Sequence, residues 1–164
     1  PEPTDPEPTD PEPTDPEPTG ANCNETYTCV ANCGPDQTCV SACVEAGSTE
    51  AQGLFNAFIM CQQNQSCADA FCIATHCSTE GASCFYETSG DGTCSSFFEC
   101  SQACMTGDSA CIEACVAQTS AEGQAQLLAI NICVGAECPQ SDPDCVNASV
   151  SEGGMCKAFW DACM

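Results

Sequence analysis

The chain is 164 residues long, carries 20 cysteines and has a formal net charge of -23, with Lys157 its single base against 24 acids. Phosphate backbones are bound by Lys and Arg that release counterions, so charge excludes nucleic acid as a partner and disfavours anionic membrane surfaces. Leu, Ile, Val and Phe total only 22 residues, too little apolar area to offset chain entropy, so a folded state has to be cross-linked.

Cysteines at this density, and even in number, persist as disulfides only in an oxidising compartment. The expected location is therefore secreted or at the cell surface. The chain opens at Pro1 with neither Met nor signal peptide, and the expectation is that an export signal has been removed. No run approaches the roughly 18 to 20 apolar residues of a membrane span, so direct membrane insertion is not expected. The acidity reads first as solubility. The other reading is carboxylates bridged by divalent cations between subunits.

Residues 1–20, "PEPTDPEPTDPEPTDPEPTG", are four copies of a five-residue unit. Proline at two of every five positions forbids helix and favours a polyproline II arm with a reach of roughly 60 Å. Composition reads this arm as a spacer. Thr4, Thr9, Thr14 and Thr19 each follow a proline, the setting of O-glycosylated stalks, and are the glycosylation candidates.

From residue 21 the chain repeats, which divides it into an arm (1–20), a first cysteine-rich repeat (21–90) and a second (91–164). Cysteines 23, 29, 33, 39, 43, 61, 67, 72, 77 and 84 match 94, 100, 104, 111, 115, 133, 138, 145, 156 and 163 in order. "CVSACVEAGSTEAQGLFNAFIMC" aligns without gaps on "CIEACVAQTSAEGQAQLLAINIC", with nine of 23 residues identical. The main insertion falls between Cys145 and Cys156. Ten cysteines per copy allow each repeat to close its own five bridges.

The coarse reading is all-α: in each repeat a disulfide-stapled helical hairpin followed by a short third helix. C-x-x-x-C sets two sulfurs one turn apart on one helix face. Gly34-Pro35 and "TGDS" at 106–109 end the first helix of each copy and start the second. In the first copy that second helix is expected to run unbroken over 36–62, with Leu54, Phe55, Phe58 and Ile59 as its core stripe. Leu127, Leu128, Ile130 and Ile132 form the counterpart stripe.

The cysteine spacing chooses among metal, redox and staple. C-x-x-C, the thioredoxin-type motif, and C-x-x-C-H, the haem-attachment motif, are both absent, so redox catalysis and covalent haem lack their motifs. No metal or cofactor is expected. Two antiparallel helices packed about 8–10 Å apart bring facing Cα atoms to roughly 3.5–5.5 Å, which overlaps disulfide geometry. The nested pairs Cys29–Cys43 and Cys33–Cys39 follow, with Cys100–Cys115 and Cys104–Cys111 in the second copy. Cys61 is expected to meet Cys67 or Cys72, and Cys23 to meet Cys77 or Cys84.

This C-x3-C, loop, C-x3-C pattern, followed by "GSTEAQ" or "TSAEGQ" and a distant cysteine, resembles cysteine-rich repeats of secreted proteins and lipoproteins in myxobacteria-like and Bradymonas-like bacteria. The resemblance covers nearly the whole chain and implies export and a surface location. It brings no activity, so no functional residue transfers. Over a short stretch the hairpin also resembles plant α-hairpinins.

Catalysis finds few candidates. His76 is the single histidine, no Arg is present, and no nucleophile–base pair can be read. The chain is not expected to be an enzyme. Asp91, Asp142 and Asp144 lack EF-hand spacing and read as turn residues. The sequons at Asn24, Asn64 and Asn147 read as chance, and Phe159 and Trp160 as core. The expected function is a disulfide-hardened subunit of an extracellular filament or surface assembly, self-associating through the arm. The alternative is a stalk-displayed binding or adhesion module.

Overall fold

The computed structural model describes residues 20–164, so the arm up to Thr19, with its four threonines, and the expected self-association lie outside the described residues. The first repeat folds as α1 (Cys23–Cys33), α2 (Gln37–Ala46), α3 (Thr49–Asn64), α4 (Ala70–His76) and α5 (Ser78–Phe85). The second gives α6 (Cys94–Ser101), α7 (Ser109–Gln118), α8 (Ala121–Glu137), α9 (Pro143–Val150) and α10 (Lys157–Cys163). The fold is all-α and disulfide-rich, and among the described residues β pairing is limited to two isolated bridges.

Most of these helices start at a polar cap. Asn22, Asp36, Ser48, Asp69, Thr93, Asp108, Ser120 and Asp142 each accept a backbone N–H of the first turn. Asn22 and Glu25 complete a capping box. The helices without a side-chain cap, α5 and α10, are counterparts, and each follows a fully buried cysteine, Cys77 or Cys156. There a bridge to the preceding long helix fixes the chain where a cap would.

The helix expected over 36–62 is two helices. Gly47 and Ser48 are extended at the break, Ser48 caps α3, and Ala21 pairs across the gap: its N–H donates to Ala46 O (3.1 Å) and its carbonyl accepts from Ser48 N (2.9 Å). The second copy breaks in the same way, with Gly92 N donating to Gln118 O (2.9 Å) and Ser120 N to Gly92 O (2.6 Å). Packing explains why the break is retained. A Cβ on Gly47 would stand 2.7 Å from Thr26 Oγ1. In the second repeat Thr119 occupies that place, and Gly123, where the first repeat has Ala51, makes room for it.

Bridging is confined within each repeat, and the two copies use the same connectivity. Cys29–Cys43 and Cys33–Cys39 staple α1 to α2, and Cys100–Cys115 with Cys104–Cys111 staples the second hairpin, at Cα separations of 5.5 to 5.7 Å. Cys23–Cys84 and Cys94–Cys163 tie the first helix of each copy to its last. The expectation for Cys61 is corrected: it bonds to Cys77, while Cys67 and Cys72 bond to each other, and the second copy pairs Cys133–Cys156 and Cys138–Cys145 accordingly. The third segment folds as two short helices kinked at Cys77. That kink returns Cys77 to the end of α3, and the neighbouring Cys67 and Cys72 close their own turn.

The two repeats pack through α4 and α5 against α8. Ala82, Phe85 and Tyr86 meet Ala125, Leu128 and Ile132 there. Phe55 and Ala51 anchor the core of the first repeat with Leu54 and Ile59 beside them, and Leu127 and Ile130 anchor that of the second. Phe159 and Trp160 lie half-buried against this second core, and Trp160 meets Phe98 at a tilt, with ring centroids 4.9 Å apart.

Candidate functional site

The cysteines form no ligand set in this state. Two groups among the described residues have metal-like spacing, Cys33/Cys39/Cys43 and Cys104/Cys111/Cys115, and all six sulfurs are bonded as disulfides. The staples stack closely, with Cys33 Sγ 3.5 Å from Cys43 Sγ and Cys104 Sγ 3.9 Å from Cys115 Sγ. A disulfide sulfur carries no thiolate charge to offer a cation.

The remaining sequence candidates are dispersed. His76 is exposed at the end of α4. Asp142 caps α9 by accepting from Asp144 N, and Asp91 is exposed in the segment joining the repeats. Asn24, Asn64 and Asn147 are exposed on helices, but Thr26 and Ser149 of two sequons are buried with their hydroxyls bonded to backbone carbonyls.

A concavity between the repeats has room for a ligand. It measures about 990 Å³ and is walled by Gly20 and the start of α1, α3, α4, α5, the joining segment, α8 and α10. Leu54, Tyr86 and Phe159 give it apolar and aromatic surface, and Ser and Thr hydroxyls surround them. Its charged lining residues are Glu50, Glu87 and Glu122, all exposed. Glu87 accepts from Asn22 Nδ2 at 2.6 Å. Lys157 is not among the lining residues and pairs with Asp161 one turn along α10. Burial raises the Tyr86 phenol above its usual value, partly offset by a hydrogen bond with Asn131.

Beside the groove the joining segment is strapped to α7 and α8. Gly90 N donates to Thr119 O (3.0 Å), and Gly92 N and O take part in the break between α7 and α8. Gln124, 3 % exposed, donates from Nε2 to Thr88 O (2.6 Å) and Val116 O (3.0 Å), locking the joining segment to both helices. Its counterpart Gln52 donates to Gly47 O (2.9 Å). The signal for these two glutamines was their identity in the aligned segment, although an isolated Gln in a helix suggests no such role. Comparison with family models, curated proteins and solved structures finds no match for the chain.

The ten bridges describe a small protein stabilised for an oxidising, extracellular environment. No helix of the described residues is long and apolar enough to cross a membrane.

Proposed function

We propose that the chain is an exported, non-catalytic binding module: two stapled helical repeats displaying the groove between them, with residues 1–20 as a stalk. The observation that carries this reading is how the repeat interface ends. On α8 that interface uses Ala125, Leu128 and Ile132, and the aligned positions of α3 are Gly53, Asn56 and Met60, all exposed. On α5 it uses Gly81 and Ala82, and the aligned positions of α10 are Trp160 and Asp161. Repeat arrays end in units whose outer faces no longer match the interface. A third repeat, or a second molecule stacked in the same way, would meet Asn56 and Asp161 where the internal contact has Leu128 and Ala82. These mismatches disfavour stacking through the outer faces, and they support a reading in which the concavity between the repeats takes a ligand.

The second reading is a structural subunit of a filament or surface assembly joined through the arm. Its support is the four-fold repetition of that arm and its attachment at Gly20, a residue lining the groove. A preformed polyproline II segment also docks with reduced entropy loss. The arm carries four Glu and three Asp and no base, so it would meet the groove's own carboxylates unless divalent cations lay between. Two experiments separate the readings. Oxidised protein with and without residues 1–20 should bind the envelope fraction of its producing cells equally, and Thr79→Trp, which fills the groove from an exposed position, should abolish that binding. Negative-stain fibres that vanish on deleting the arm would instead establish the assembly.

A further inference from the structure

We infer that the groove takes a basic peptide segment, its Lys or Arg side chains set against Glu50, Glu87 and Glu122; this rests on the groove being the binding site. The volume, about 990 Å³, is at the upper end for pockets that enclose a small ligand, which suits a short extended segment. The sign of the charge sets the ligand class. Every charged residue lining the groove is a carboxylate and the lining holds no base, so an anionic ligand would be repelled and find no compensating cation. A neutral ligand would gain nothing from the three carboxylates.

Helix electrostatics does not account for all three acids. Glu50 and Glu122 lie in the first turns of α3 and α8, where a carboxylate complements the helix dipole. Glu87 is outside any helix and comes from the joining segment, where one of its oxygens accepts from Asn22 Nδ2 while the residue borders the same concavity. The apolar wall fits the rest of a basic side chain. Lys and Arg lay their methylene stems on apolar surface and direct the cation at aromatic faces, and Leu54, Tyr86 and Phe159 provide both. Phe159 is braced by Phe71 at a centroid distance of 5.4 Å. The net charge of -23 also draws a cationic segment in from a distance.

The test is calorimetric titration of the oxidised chain with a peptide of alternating Lys and Ala, with amide chemical shifts followed in parallel. Binding should weaken with salt, and the shifts should be confined to groove residues. The variant E50Q/E87Q/E122Q should lose roughly tenfold in affinity, the sum expected of three exposed pairs. E99Q/E113Q/E152Q removes the same charge at exposed positions outside the groove and should stay within about twofold of the parent. Far-UV spectra and the absence of free thiols check that both variants fold. Equal losses in the two variants would overturn the proposal, because bulk charge would then explain the binding. A Ser/Ala peptide of the same length binding in the groove as tightly would overturn the cationic preference and leave the groove as the binding site. If no probe moves the groove amides, both readings fall.

Discussion

A methyl group at Gly81 would lie 2.6 Å from Leu128 Cδ2 and 3.1 Å from Phe58 Cε2. The missing side chain is what allows α5 to lie against α3 and α8 together. Gly81→Leu should therefore cost roughly 1–3 kcal/mol through overpacking and loosen the repeats before it loosens either hairpin. Chemical denaturation checks the first point, and hydrogen exchange at α8 against α1 checks the second. Tyr86 sits at the same seam. Its folded pKa lies above the usual 10.0, chiefly through desolvation, so the unfolded chain ionises first as pH rises. The seam's stability is then complete below about pH 10 and declines above it. Tyr86→Phe should flatten that alkaline decline in a melting series.

Disulfides and caps act at the scale of elements. The chain-entropy model gives the widest loops most weight: Cys23–Cys84 spans 61 residues and Cys67–Cys72 spans 5. Replacing the first pair with Ser should cost roughly 4 kcal/mol and the second about 2. Paired-variant denaturation midpoints test that order. Ser48→Ala should remove about 1 kcal/mol, since the hydroxyl caps α3 at the break.

The hairpin bridges follow from spacing because C-x3-C keeps both sulfurs on one helix face and a tight turn sets the register. The break at Gly47–Ser48 was less legible. Ser48 is a good cap residue, but the hydrophobic period runs on across it, and the partner that holds the break open, Ala21, lies 26 residues back. The partner of Cys61 is hidden for a related reason: the kink at Cys77 has no Gly, Pro or polar cap to announce it. The groove was not legible, because its walls come from both repeats and depend on how α5 meets α8.

For the molecule as a whole, cross-links substitute for a large core. The buried hydrophobic residues include ten cysteines, and the largest buried aromatics are Phe55 and Phe58. Full reduction should therefore abolish helical signal and cooperative melting together, and a reduced chain that kept its spectrum would contradict the dependence on bridges. If the outer faces disfavour stacking and the free surface binds a ligand, the oxidised chain stays monomeric. Sedimentation of the oxidised chain, with and without residues 1–20, tests it most directly. One monomeric species near 16.9 kDa is expected for the full chain, and a correspondingly lighter monomer once the arm is removed. Concentration-dependent polymer that disappears when residues 1–20 are deleted would contradict it.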